Sequence, residues 1–454
     1  MNKYSLKIIN FINKLNNSQN LNSNPNQFNL SKNINVQHDL IKKLKIIMQK
    51  TINSASHINF NKEQTHLGKL HSDDFPKIYL FFREYLKSTD EKITIQSYTE
   101  FAKWFNLNQH KINYDEIFNQ IKTNKNLVEM FNEMLQIGKP RENLHEMLHR
   151  NNFVGIDTIQ LSELLDLEEY VIENDFAVIK LYSEKNKNIE EIILKILTII
   201  TIMHEINQEI IKTKVNKLNL NIFLGGQRKE ITSNNVLTPI NINSGSCMRG
   251  LYVNIWREEE LEKVLFHELQ HFYSCDFHIY NKNYTVINTF IKSHFDIFED
   301  DKSNESINEM MAILLHMIYQ SEQLNMEIDM IYSYEMFFTL FQIAKIIRFF
   351  NGNSYSELFK SNPNHIKIKQ TTSVVSYYII KGILLFNINS TMDFLNKVNL
   401  KIDNNKILDY KEYLETIINK KDGIETLINK LIEIYKDLEP NKFISKTLRM
   451  SAVS

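Results

Sequence analysis

The sequence predicts an α+β protein that is mostly helical, with a small mixed sheet flanked by helical N-terminal and C-terminal regions. Amphipathic segments at helical spacing, such as HDLIKKLKIIMQKTI in residues 38–52, occupy most of the chain. Three shorter stretches between residues 218 and 256, LNLNIFLG, NVLTPININ and LYVNIW, have the composition and patterning of strands. The chain has 454 residues, which exceeds one ordinary domain, so we expect two or three.

Composition and pattern divide the chain into four predicted regions. Residues 1–35 are predicted to be a flexible segment, because the stretch 16–35 is polar and rich in asparagine. Residues 36–186 are predicted to form a helical N-terminal domain. Residues 187–320 contain the three predicted strands, and residues 321–454 return to helices. The N-terminal prediction also rests on the segments DFPKIYLFFREYLKS, TIQSYTEFAKWFN and NLVEMFNEMLQIG.

Charge and cysteine content exclude several classes of protein. Lys and Arg total 53 and Asp and Glu total 54, so a general nucleic-acid or membrane-surface binder is not expected. The two cysteines, Cys247 and Cys275, cannot build a disulfide framework, which favours an intracellular, cytoplasmic location. The longest apolar runs are too short or carry Lys or Arg, and the first residues lack an apolar signal-peptide core. We therefore expect no membrane span.

The chain contains the pattern His-Glu-x-x-His twice. HEMLH occupies residues 145–149 and HELQH occupies residues 267–271. On a helix, histidines four residues apart differ by about 40° in direction, so both imidazoles can bind one zinc ion. The glutamate between them is then beside the metal and can take a proton from water.

The surroundings of the two motifs favour HELQH as the functional one. Apolar residues flank it from Val264 to Phe272, and the predicted strand LYVNIW leads into its helix. HEMLH follows Gly138 and Pro140, lies in a charged stretch, and is followed directly by Arg150, a cation that would oppose a bound metal. We interpret HEMLH as a short surface helix.

A catalytic zinc ion usually takes three protein ligands and leaves one position for water. The extended motif HExxHxxGxxH does not fit, because Ser274 and Phe277 occupy the positions of its Gly and third His. A candidate acid lies on the predicted helix NESINEMMAILLHMIYQ, which carries Glu309 and, one turn earlier, Glu305. Asp276 and His278 remain further possibilities.

HELQH together with INEMMAILL resembles the gluzincins, the thermolysin-like clan of zinc metallopeptidases, over about residues 187–320. The resemblance implies a zincin-like catalytic domain that binds Zn²⁺ through His267, His271 and Glu309, with Glu268 as the general base. Asn308 matches the asparagine that precedes the glutamate ligand in that clan. Glu305 is the alternative third ligand.

The resemblance has one departure. Thermolysin-like enzymes place an aspartate four residues after the glutamate ligand, where it orients a histidine. Counted from Glu309, that position is Ile313, so we expect Asp276 or Glu305 to take the role.

The resemblance also implies hydrolysis of peptide bonds in a peptide or protein substrate, with a second donor for the developing oxyanion. Tyr377 and Tyr378 are the candidates, and His365 is an alternative. Residues 235–245 are the candidate for an edge strand that docks the substrate backbone. Cys247 is expected either to be a buried cysteine or to block the metal. A catalytically inactive zincin-fold structural or interaction protein is the competing hypothesis.

Overall fold

The protein is mostly helical, with a mixed six-stranded sheet. By contacts it divides into two compact units. The first comprises Met1–Asn59, Ile189–Asn219 and Arg228–Ser454, and the second comprises Phe60–Asn188 and Leu220–Gln227. The computed structural model describes residues 2–19, 33–68, 80–85, 117, 120, 122–128, 130, 142–232, 235–278, 280–281, 283–299, 301–420, 423–439 and 442–453.

The helices of the described residues are numbered here in chain order. They are α1 (Lys3–Gln19), α2 (Asp39–Ser54), α3 (Glu142–His149), α4 (Ile156–Leu164), α5 (Glu190–Ile206), α6 (Pro239–Ile242), α7 (Leu261–Phe272), α8 (Tyr284–His294), α9 (Asn304–Leu324), α10 (Ile328–Phe349), α11 (Lys381–Phe386), α12 (Ile388–Lys397), α13 (Ile407–Asn419), α14 (Ile424–Lys436) and α15 (Phe443–Lys446). Short 3₁₀ or π segments are Ala55–His57, Asn207–Ile211, Tyr355–Leu358 and Val375–Ile380.

The strands are numbered in the same way. They are β1 (Asn61–Gly68), β2 (Leu167–Glu173), β3 (Ala177–Glu184), β4 (Leu218–Phe223), β5 (Gly245–Met248), β6 (Tyr252–Ile255), β7 (Asp296–Ile297) and β8 (Lys367–Ile368). The large sheet has the order β1-β2-β3-β4-β6-β5, and β7 and β8 form a separate parallel pair. Within the described ranges, none of the helices combines the length and the apolar composition needed to cross a bilayer.

The N-terminal residues depart from the predicted flexible segment, because Lys3–Gln19 is a helix. The Asn2 side chain accepts hydrogen bonds from the backbone N–H groups of Tyr4 and Ser5, which caps its first turn. Ile8 and Ile12 are buried, and the helix packs against α10. Much of the asparagine-rich stretch that follows lies outside the described residues.

The predicted helical domain of residues 36–186 also contains strands. The hairpin β2–β3 is antiparallel, with Leu167 opposite Glu184 and Glu173 opposite Val178. The Asn174 side chain accepts hydrogen bonds from two backbone N–H groups in its turn. Asn174 and Asp175 are turn-favouring residues, and each flanking strand carries a Val-Ile pair, which is typical of strands.

Most of the helical segments quoted for that domain lie outside the described residues. TIQSYTEFAKWFN is wholly outside, and NLVEMFNEMLQIG is mostly so. Within DFPKIYLFFREYLKS, residues 80–85 are described and are helical, as predicted.

The segment predicted to be an extended edge strand, residues 235–245, contains a four-residue helix at its centre. The fixed φ of a proline ring suits the first position of a helix, and Pro239 begins α6 in this way. The Asn241 side chain accepts hydrogen bonds from the backbone N–H and hydroxyl of Thr238, which closes the turn. The edge strand is β5, which begins where the predicted segment ends and pairs with β6.

The centre of the first unit is the predicted motif helix, α7. It packs against α5, α9 and the hairpin β5–β6. The second predicted helix of the site, α9, is buried along its length from Asn304 to Ser321. A helix buried on all sides cannot rotate or slide without disturbing several partners, so the side chains that α7 and α9 direct at each other are held firmly.

Candidate metal centre

The two histidines of HELQH lie one turn apart on α7, as the spacing predicts. Their ring centroids are 4.9 Å apart, and both side chains are largely buried. Leu265, Phe266 and Leu269 anchor the helix in the core, each with no exposed surface. The apolar surroundings that favoured this motif in the sequence therefore fix the direction of both imidazoles.

A carboxylate from α9 completes a three-residue cluster. Oε2 of Glu305 is 3.2 Å from Nε2 of His267 and 3.2 Å from Nε2 of His271. One potential ligand atom from each residue lies within 4.8 Å of the others. A tetrahedral zinc ion with bonds of about 2.0–2.2 Å separates its ligand atoms by roughly 3.3 Å. The donor set and its spacing therefore fit a zinc ion.

Glu309, the predicted third ligand, contacts the ring nitrogen of His267 that does not face Glu305. Its Oε2 is 2.8 Å from Nδ1 of His267, and its Oε1 forms an ion pair with Lys263. Glu305 and Glu309 are one turn apart, so both face α7 and sequence spacing does not distinguish them. The alternative acid, Glu305, is the one that meets both Nε2 atoms.

Asp276 has the same relation to His271 that Glu309 has to His267. Its Oδ2 is 3.0 Å from Nδ1 of His271 and accepts hydrogen bonds from Arg249, at 2.8 Å, and Asn304, at 2.7 Å. Arg249 also donates to the carbonyl oxygens of Asp276 and Phe277. Carboxylates commonly orient metal-binding histidines through the second ring nitrogen.

The cluster strongly favours positive charge. Burial by itself lowers the pKa of His271, but Asp276 and Glu305 outweigh it and raise this pKa well above its usual value. The pKa of His267 is also raised, because Glu305 and Glu309 overcome the effect of burial. The carboxylates around the two imidazoles thus favour positive charge at the ring nitrogens, from protons or a metal ion, in addition to Lys263 and Arg249, which pair with Glu309 and Asp276.

Asn308 has a structural contact with the motif helix. Its side-chain amide donates a hydrogen bond of 3.0 Å to the carbonyl oxygen of His267. Asn308, which precedes the glutamate ligand that the resemblance implies, therefore joins α9 to the backbone of α7.

Glu268, the predicted general base, is buried beside the cluster and lies against strand β5. A Cβ atom at Gly245 would lie 2.5 Å from Oε1 of Glu268, so only glycine leaves room for this carboxylate. Burial raises the pKa of Glu268, against the opposing effect of His267 and His271. A raised pKa suits a carboxylate that takes and returns a proton near neutral pH. The role of Gly245 is not predicted above, and the scarcity of glycine in this chain is the one signal in the sequence that points to it.

The structure separates the two predicted tyrosines. The ring of Tyr377 lies 6.0 Å from that of His267, between centroids. Tyr378 instead donates a hydrogen bond of 2.5 Å to the carbonyl oxygen of Leu448 and packs in an apolar cluster with Leu448 and Met450. Consecutive residues of a helical segment point in different directions, so only one of the two tyrosines can face the cluster as an oxyanion donor.

The environment of Tyr377 keeps its hydroxyl protonated. Burial, followed by the nearby Glu305 and Glu268 carboxylates, raises the pKa of Tyr377 well above its usual value. The alternative oxyanion donor, His365, lies apart from the cluster and has its Nε2 3.8 Å from Oδ2 of Asp296.

Cys247 lies on β5 near the cluster. Burial, together with the Glu268 and Asp276 carboxylates, raises the pKa of its thiol. Of the two expectations for this residue, a neutral buried cysteine agrees better with these surroundings than a metal-blocking thiolate.

Comparison of the chain with protein-family models, with curated proteins and with solved structures finds no match. The geometry of the cluster itself therefore carries the functional argument.

Proposed function

We propose that the protein is a zinc-dependent metallopeptidase of the gluzincin type. His267, His271 and Glu305 would hold the zinc ion, and Glu268 would act as the general base. The observation that supports this most directly is the position of one Glu305 oxygen, 3.2 Å from Nε2 of each histidine. Glu305 replaces Glu309 as the proposed third ligand.

The choice of Glu305 also reduces the departure from the gluzincin pattern to a glutamate in place of an aspartate. Asn304 and Glu305 then supply the Asn-Glu pair of the second helix. Thermolysin-like enzymes carry an aspartate that orients a histidine four residues after the glutamate ligand. Counted from Glu305, that position is Glu309, whereas counted from Glu309 it was Ile313. Glu309 contacts Nδ1 of His267, which is the contact that such an orienting residue makes.

When bound, the zinc ion supplies Lewis acidity that makes water nucleophilic near neutral pH. Glu268 takes a proton from the attacking water on its carboxylate and returns it to the leaving amine. Tyr377 donates a hydrogen bond from its hydroxyl to the oxygen of the scissile carbonyl, where negative charge develops. Glu309 and Asp276 hold the two imidazoles in the orientation that directs Nε2 into the site.

Strand β5 is the proposed docking site for the substrate. It is at the end of the sheet order and begins at Gly245, in contact with Glu268. An extended peptide can add to such an edge through main-chain hydrogen bonds, which places its backbone along the site. Met248 and Tyr252, at the hairpin end, are partly exposed and offer apolar contact.

The variant Glu268→Gln tests the proposal. Zinc content should be unchanged, whereas cleavage of a quenched fluorescent peptide library should fall by about 10²-fold or more, the scale of general-base catalysis. Glu146→Gln is the matched control, because it changes the same position of the second His-Glu-x-x-His motif. Cleavage by Glu268→Gln at the wild-type rate would exclude the mechanism.

The same experiment addresses the competing hypothesis. Stoichiometric zinc in the wild-type protein, without cleavage of any library member, would favour a zincin-fold protein with a structural or interaction role. Absence of zinc from the wild-type protein after dialysis against the ion would exclude both.

A further inference from the structure

The second motif, HEMLH, also forms a cluster with an acid from another helix. His145 and His149 lie on α3, and Glu163 lies on α4. One potential ligand atom from each lies within 4.8 Å of the others. We propose that these three residues form a second, non-catalytic site for a divalent transition-metal ion, with zinc as the expected occupant.

The arrangement of the side chains supports a shared ligand. The rings of His145 and His149 are 5.2 Å apart between centroids, close to the separation in the first motif. Nε2 of His149 is 4.0 Å from Oε1 of Glu163, which is too long for a hydrogen bond. A tetrahedral zinc ion between them would bring the two atoms to roughly 3.3 Å, a movement of less than about 1 Å.

Burial supplies an independent reason for a ligand. The side chains of His149 and Glu163 are each only 13% exposed. An imidazole and a carboxylate buried side by side favour a cation between them, because a buried carboxylate is costly unless its charge is paired.

Arg150, the cation next to HEMLH, is at the surface and paired with another residue. Arg150 is 74% exposed and forms an ion pair with Glu146, which is itself 54% exposed. Its guanidinium is therefore both neutralised and solvated, so its repulsion of a metal ion is weak.

The same ion pair separates the second site from catalysis. In HELQH the middle glutamate is buried beside the histidines, whereas in HEMLH the middle glutamate, Glu146, is at the surface and engaged with Arg150. The motif's own glutamate is thus not placed to act as a general base for the second cluster. Two imidazoles and a carboxylate from successive helices instead suit a metal ion that joins α3 to α4.

The ligand set defines the class of metal. Imidazole nitrogen together with carboxylate oxygen suits zinc and its first-row neighbours better than magnesium or calcium, which prefer oxygen ligands. Zn²⁺ is therefore the probe, and Mg²⁺ is the negative control.

Metal stoichiometry of the full chain tests the proposal and keeps it distinct from the proposed function. After dialysis against Zn²⁺, the wild-type protein should hold two equivalents by inductively coupled plasma mass spectrometry. His149→Ala and Glu163→Gln should each hold one, and Glu146→Gln should hold two. His267→Ala should lose the other equivalent, and combining it with His149→Ala should leave none.

The outcomes separate the two sites. If the zinc of the wild-type protein is lost entirely on His267→Ala, the second site is excluded and the proposed function is untouched. If His149→Ala removes zinc and His267→Ala does not, the proposed function fails while the second site is supported. Circular dichroism identifies any variant that does not fold. For such a variant, the measurement moves to Co²⁺-loaded wild-type protein, whose visible absorption should report two nitrogen-ligated ions and not one.

Discussion

Glu305 and Glu309 contact opposite nitrogens of the same imidazole. Oε2 of Glu305 is 3.2 Å from Nε2 of His267, and Oε2 of Glu309 is 2.8 Å from Nδ1. Two acids one helical turn apart therefore have different roles, one at the proposed metal position and the other behind the ligand.

This division predicts unequal effects on zinc affinity. Glu305→Gln removes a proposed ligand and should abolish stoichiometric zinc at the first site. Glu309→Gln should weaken affinity by about 10- to 100-fold, the usual cost of losing an orienting partner, and still bind zinc at saturation. Competition against a chromophoric chelator measures both, in a His149→Ala background that confines the measurement to one site. A larger loss for Glu309→Gln than for Glu305→Gln would restore Glu309 as the ligand.

Gly245→Ala should impair cleavage while zinc remains bound. The new Cβ would lie 2.5 Å from Oε1 of Glu268, so this carboxylate must move. Displacement of a catalytic group by about 1 Å can cost 10²-fold in rate. The control is Gly226→Ala, since a Cβ there meets no atom within 4 Å. Steady-state kinetics of the two variants should therefore differ, and equal rates would argue against Glu268 as the base.

Tyr377 and Tyr378 should have separable effects when each is changed to phenylalanine. Tyr377→Phe removes the proposed oxyanion donor and should lower kcat by about 10²- to 10³-fold with little change in stability. Tyr378→Phe removes the hydrogen bond to Leu448 and should reduce the free energy of unfolding by about 1 kcal/mol with kcat unchanged. Denaturant titration and peptide cleavage distinguish the two. A reversed pattern would assign the oxyanion role to Tyr378.

The buried carboxyl group of Asp301 should make the free energy of unfolding depend on pH. It is buried, and burial raises its pKa to about 6 despite hydrogen bonds from Ser376 and Gln370. The folded state therefore holds this proton more tightly than the unfolded state, so the wild-type protein should lose stability as pH rises from about 4 to about 6. The loss is of order 3 kcal/mol at most.

The variant Asp301→Asn isolates this effect. Its stability should exceed that of the wild-type protein above pH 6 and approach it near pH 4, as measured by denaturant unfolding at each pH. A difference between the two proteins that does not change with pH would contradict the assignment.

Local pattern predicted the elements of the candidate site well. The strands over residues 218–223 and 252–255 and the helices that carry HELQH and NESINE are all present. The hairpin β2–β3 was missed, although its Asn-Asp turn was visible. The short helix at Pro239 was mistaken for an edge strand, because its four residues alternate as a strand does and its closure depends on the Thr238–Asn241 contacts.

The sequence by itself determined that two histidines share one face of a buried helix and that an acid-bearing helix follows, because helical spacing fixes directions within a segment. Only the tertiary structure decided which acid meets Nε2, which carboxylate orients each histidine, and that Gly245 makes room for Glu268. These relations depend on how α7 and α9 are placed along each other and how β5 approaches them. That placement is set by packing among residues far apart in the chain, which spacing within either helix does not encode.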